Sequence, residues 1–178
     1  MRTFSIFFIF LFILSCVPES DDNTTVIGDK NANYEIIKFD PELTVLPSSR
    51  DSLDLNSDGS FDIVFVKSPK PAITGYGSET NILIKNGLQI VLSSINNYPD
   101  TLSSKTILND NSNWSATESS KLTLQSFECG GIAGCVGFAN FINVSDKYIG
   151  FKSGKNFGWI KIDNSQWELK IKEYTELK

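Results

Sequence analysis

The residues best placed to do chemistry lie in one short stretch, Asp54-Leu55-Asn56-Ser57-Asp58-Gly59-Ser60-Phe61-Asp62. Oxygen-bearing side chains stand at its first, third, fifth and ninth positions, and glycine at its sixth. Calcium takes six to eight hard oxygen ligands around a tight turn, and this spacing can supply several of them. Asp54, Asn56 and Asp58 would coordinate through side chains and Ser60 through its carbonyl. Asp62 would bind directly or through water, and Gly59 would permit the reversal. Such an ion would be structural. Position twelve is Phe65, where a helix–loop–helix calcium site needs a bidentate Glu, so a further ligand would have to come from elsewhere. The same residues also read as a polar turn between two strands. The carboxylates could be taken as an acid/base pair, but nothing in the spacing distinguishes that from a turn.

The stretch resembles the DxNxDGxxD loops of dockerins, thrombospondin-type repeats and integrin-like repeats, although its flanks are strand-like. Further on, Phe157-Gly158-Trp159-Ile160-Lys161-Ile162 follows Tyr148-Ile149-Gly150-Phe151 and precedes Ile171-Lys172-Glu173-Tyr174. Over residues 52–66 and 148–174 the chain is similar to small secreted bacterial β-sandwich proteins that pair a YGW strand with an upstream DxNxDG loop. The resemblance implies a fold and no activity.

No histidine occurs anywhere in the chain. The commonest general base and transition-metal ligand is therefore missing, and so is the usual nucleophile triad. Chemistry built on carboxylates or lysine remains open. Three tryptophans invite a sugar-stacking reading, but Trp on a strand is more often core. Trp159 and Trp167 are expected in the core. Trp114 lies in a polar loop and is the candidate for an exposed ligand contact.

These residues must be carried by strands. Short β-branched and aromatic runs recur between turn residues, which is the pattern of a sandwich or barrel. Runs are expected at 34–39, 43–46, 52–55, 61–67, 81–85, 88–92, 121–127, 138–142, 148–151, 157–162 and 167–174. Asn86-Gly87 between two of them predicts a type I′ hairpin, with Leu83, Leu88, Ile90 and Leu92 facing the core. Residues 93–120 read as a long polar loop with an edge strand at Thr106-Ile107-Leu108, either mobile or functional. Lys121 to Phe127 should turn Leu122 and Leu124 inward. The fold class is an all-β, antiparallel, jelly-roll-like sandwich of about 8–10 strands.

The address is written at the start. Arg2 precedes an apolar run from Phe4 to Leu14 that is too short to cross a bilayer and fits a secretory signal. Ile13-Leu14-Ser15-Cys16 resembles the bacterial lipobox, with Leu14 a less common choice. The resemblance implies cleavage before Cys16 and acylation of its thiol, palmitate included, and two or more chains anchor stably. The expected organisation is a signal peptide over 1–15, a flexible acidic tether over 16–33 and a β-sandwich over 34–178. The acidic residues Glu19, Asp21 and Asp22 resemble a signal for the outer face of the outer membrane, with the periplasmic face as the other location. With Cys16 acylated, Cys129 and Cys135 remain, separated by a glycine-rich loop, and a disulfide is the favoured reading in an oxidising compartment. A redox pair usually has closer spacing, and a metal site would need two more ligands.

The full chain carries 16 basic and 21 acidic side chains; losing Arg2 leaves a net charge of −6. That balance argues against nucleic acid as a partner. The sequence thus reads as a membrane-anchored extracytoplasmic lipoprotein with a non-enzymatic binding or envelope-structural role, stabilised by calcium, with a glycan or envelope protein as partner. The alternative is a carboxylate-based hydrolase acting on an extracellular polymer.

Overall fold

The computed structural model describes residues 24–29, 34–71, 75–115, 121–130 and 134–177. The lipobox at 13–16 and the signal peptide lie outside the described residues. The strands are β1 (Thr25–Val26), β2 (Glu35–Val45), β3 (Ser49–Leu53), β4 (Ile63–Lys70), β5 (Tyr76–Ile84) and β6 (Gln89–Ile90), then β7 (Ile107–Leu108), β8 (Lys121–Cys129), β9 (Cys135–Phe138), β10 (Val144–Ser153), β11 (Asn156–Asn164) and β12 (Leu169–Glu176). Two five-stranded sheets form, in the orders β2-β12-β11-β10-β6 and β3-β4-β5-β8-β9, and every strand pair is antiparallel. The fold is an all-β antiparallel sandwich, as the alternating runs predict.

The inner faces follow from period-two alternation. Ile63 and Phe65 of β4, Ile82 and Ile84 of β5 and Leu124 of β8 are buried against Ile149, Phe151, Ile160, Ile162, Leu169 and Ile171 of the facing sheet. Each such side chain stabilises the fold by roughly 1.5–3 kcal/mol relative to exposure. β10 and β11 are apolar on their other face as well. Tyr148, Phe157 and Trp159 there form a second buried cluster with Ile27, Val91, Leu102 and Leu108.

Several expectations are corrected. Residues 34–39 and 43–46 are one strand, β2, with an irregular register opposite Ile171 and Glu173. Asn86 and Gly87 do take positive φ, at 56° and 72°. However, β5 pairs with β4 and β8 while β6 pairs with β10, so the turn passes between sheets and makes no hairpin. Leu88 and Ile90 are core, whereas Leu83 and Leu92 are only half-buried, and Ile82 and Ile84 take the inward positions. The strand expected at 138–142 is instead β9, ending at Phe138. The loop after β6 is no free loop. Through 91–115 it lays Val91, Leu102 and Leu108 over the outer face of β10 and β11. Gly150 makes room for it, since a Cβ there would sit 2.9 Å from Leu102 Cδ1 and Leu108 Cδ2. The stretch read as tether contains β1, which pairs with β7 and buries Ile27.

Candidate functional site

The two ends of the sandwich differ in chemistry. At one end, Asp54–Asp62 joins β3 to β4. Asp54 Oδ2 accepts from Gly59 N at 2.8 Å, Asn56 Oδ1 from Asp58 N at 3.1 Å and Asp58 Oδ1 from Ser60 N at 2.7 Å. Ser57 and Gly59 have positive φ, of 56° and 85°, so the loop reverses where its sequence allows. The oxygens of Asp54, Asn56 and Asp58 are thus gathered on one exposed turn. Asp62 is engaged differently. It is buried, its Oδ2 accepts from Leu55 N at 2.9 Å and its Oδ1 from Asn86 Nδ2 at 2.9 Å. Asp62 pins the loop to the core. Glu176, from the end of β12, accepts a hydrogen bond from Ser57 Oγ and brings a carboxylate the sequence did not indicate. Among the described residues, no group of three or more His, Cys, Asp or Glu side chains is disposed to hold a metal ion.

At the other end the inner faces turn polar. Lys67, Thr80 and Gln125 lie side by side on β4, β5 and β8, and all are fully buried. Lys67 Nζ donates to Thr80 Oγ1 at 2.9 Å and to the Ser165 carbonyl at 2.8 Å. Asn164 crosses from the facing sheet. Its Nδ2 donates to Gln125 Oε1 at 2.6 Å and to the Phe141 carbonyl at 2.7 Å. Burial lowers the Lys67 pKa to about 8, against a smaller upward pull from Glu168. A lysine shifted this way could act as a nucleophile in a cleft. Here it is sealed from solvent, so it fixes the turn between β11 and β12 instead of meeting a substrate.

That turn carries Trp167. Its ring is 58% exposed and stacks on Tyr76, itself 47% exposed, with centroids 5.3 Å apart and planes 23° from parallel. This corrects the expectation that Trp167 is core. The strand it was assigned to begins only at Leu169, and the turn before it swings the indole outward. Gln166 borders the pair, its Nε2 donating to the Tyr76 hydroxyl at 3.4 Å and its carbonyl accepting from Ser78 Oγ at 3.1 Å. A cleft of about 250 Å³ opens beside the same turn, lined by Asn143, Ser145, Asp163, Ser165 and Glu168 among others. Trp159 is buried as expected. Trp114, the expected contact residue, is half-buried, stacks on Phe157 at 5.5 Å and donates from Nε1 to the Asn109 carbonyl. Its indole serves the lid over β10 and β11. Cys129 and Cys135 are bonded to each other and join β8 to β9 at the aromatic end.

The carboxylates whose titration is displaced all move downward. For Glu79, burial is the largest single influence and would raise the pKa, but the hydrogen bonds from Lys121 and Asn81 and the charges of Lys121 and Lys70 together outweigh it. Asp146 is lowered by its hydrogen bond to Lys172, and Asp163 by the same ammonium against an opposing burial effect. Lys172 bridges Asp146 and Asp163 at 2.9 and 2.8 Å. A general acid needs the opposite displacement, so these carboxylates form ion pairs suited to holding strands together. Comparison with protein-family models, curated proteins and solved structures finds no match to this chain.

Proposed function

We propose that this chain is a lipid-anchored extracytoplasmic binding protein without catalytic function, and that it recognises a glycan through Tyr76 and Trp167. The observation supporting this is the aromatic pair itself. Two large rings stack on each other yet stay about half exposed, while Trp159, on β11, is fully buried. Exposing such a ring forgoes roughly 1.5–3 kcal/mol of burial. Aromatic faces suit the C–H faces of sugars, and Gln166 with the polar cleft beside the turn offers partners for hydroxyls. Anchoring by acylated Cys16 rests on the lipobox resemblance, and placement at the outer face of the outer membrane rests on the acidic residues Glu19, Asp21 and Asp22 that follow it.

The exposed turn is the second part of the reading. The oxygen set of Asp54, Asn56 and Asp58 fits a hard cation such as calcium, and the Ser60 carbonyl and Glu176 would extend it. Asp62 does not fit unless it surrenders its two hydrogen bonds. Calcium would brace the loop against the end of β12.

Binding is tested with the Cys16→Ser protein on a glycan array and in pull-downs from envelope material. Trp167→Ala should lose binding while keeping its melting temperature. Silence in both assays, alongside measurable hydrolysis of an extracellular polymer, would overturn the reading. For the metal, millimolar calcium should raise the melting temperature, and an unchanged melting curve would remove calcium from the proposal.

A further inference from the structure

The docking of β1 limits how the domain can sit on its membrane. Thr25–Asp29 is firmly held. Thr25 Oγ1 donates to the Phe157 carbonyl, Ile27 N to Thr106 O at 2.9 Å, and Lys105 N back to Ile27 O at 2.8 Å. Ile27 is only 1% exposed. The Tyr34 hydroxyl reaches the carbonyls of Val26 and Asp29 at 2.9 and 2.8 Å. Thr25–Asp29 therefore lies on the lid side of the β2-β12-β11-β10-β6 sheet.

Nine residue steps separate Cys16 from Thr25. At full extension they reach about 31 Å, taking roughly 3.4 Å per residue. The lid and the two sheets are stacked layers about 10 Å apart, so with side chains the domain is about as thick as that maximum reach. The far side, the outer face of the β3-β4-β5-β8-β9 sheet, could meet the bilayer only with the chain drawn out completely. The aromatic end is distant along the other axis. Thr25 sits at Phe157, and β11 runs seven steps from there to Asn164, about 23 Å at strand rise.

We infer that the β1–β7 ribbon is the side of the domain turned to the bilayer, and that it displays Tyr76 and Trp167 away from the lipid. Val26 and Ile107 face each other on the ribbon's outer surface, and Ile107 is 57% exposed. Its partner is the lipid surface that holds the anchor. The inference rests on acylation of Cys16 as proposed above.

The test uses the acylated full chain in vesicles of phosphatidylethanolamine and phosphatidylglycerol carrying an acceptor dye on a fraction of headgroups. A fluorophore is placed at Ile107→Cys in one sample and, in another, at Leu46→Cys in the exposed turn at the aromatic end. Vesicle flotation reports the anchor. A protein that fails to float refutes acylation and the inference with it. If it floats, the Ile107 label should lose a larger fraction of its fluorescence than the Leu46 label. Equal loss, or greater loss at Leu46, overturns the orientation while leaving the anchor intact. Inserting about 20 Gly/Ser residues after Asp22, a further r.m.s. span of about 25 Å, should erase the difference. A difference that survives the insertion would show that something other than tether length orients the domain.

Discussion

Lys67→Met isolates the buried ammonium. Met fills much of the aliphatic volume and removes the charge. In the folded chain the Lys67 pKa falls from 10.5 to about 8, because burial penalises the charged form. Below about pH 8 the lysine is charged folded and unfolded alike, and the fold bears a constant cost. Between about 8 and 10.5 the unfolded chain holds a proton that the folded chain has released, so stability rises with pH. The full gap corresponds to about 3 kcal/mol at about 1.4 kcal/mol per pH unit. At pH 7 the variant trades that cost for two lost hydrogen bonds, to Thr80 Oγ1 and the Ser165 carbonyl. It should lie within about 2 kcal/mol of the parent, since replacing a buried charge by a packed apolar side chain is often neutral or stabilising. Urea denaturation at pH 7, 8, 9 and 10, with the disulfide intact, measures both curves. The parent should gain on the variant across that range. Tyr34 and Tyr174, raised above 10.0 by burial, cancel in the difference. Two curves that stay parallel from pH 7 to 10 would refute a buried, depressed lysine.

Asp62→Ala strips the acceptor from buried Leu55 N and from Asn86, so it should cost about 1–3 kcal/mol in urea melts with or without calcium. Asp58→Ala, on the exposed turn, should barely alter stability without calcium but abolish any calcium-induced rise in melting temperature. Gly158→Ala would drive a Cβ into the Phe151 ring and the Thr175 hydroxyl; about 1–3 kcal/mol should be lost by chemical denaturation. Replacing both Cys129 and Cys135 by Ala should lose about 2 kcal/mol, as befits a small ring.

Period-two alternation made most strands legible, because one face of each must meet the core. Thus Leu124, Leu169 and Ile171 share the parity of inward residues in the sequence itself, whereas 61–67 and 157–162 are apolar on both faces and alternation alone does not choose the inner one. What alternation could not convey was partner choice. Asn86-Gly87 has the φ values of a tight hairpin, yet sheet membership is settled by what Ile90 packs against, a contact distant in sequence. Trp167 misled for a related reason. Its parity with Leu169 and Ile171 is that of an inward residue, but parity applies only inside a strand, and the strand starts after it. Tyr76, its stacking partner, lies roughly ninety residues away, beyond the range of any local pattern. Glu176 escaped notice likewise, joining Ser57 only once β12 closes the sheet.

The long polar loop shows how composition can conceal a structural duty. Residues 93–115 are rich in Ser, Asn and Asp, and by that measure they belong in water. Yet β10 and β11 offer apolar side chains to both sides, with Ile149, Phe151, Ile160 and Ile162 inward and Tyr148, Phe157 and Trp159 outward. A sheet apolar on both faces needs two covers, and the facing sheet supplies only one. Val91, Leu102, Leu108 and the half-buried Trp114, with Ile27 from β1, supply the other. Once the loop is a lid, Trp114 is needed to complete it, and its ring is no longer available as a contact surface. The surface open to a ligand is therefore at the opposite end of β11, where Trp167 and Tyr76 stack on each other and stay about half exposed.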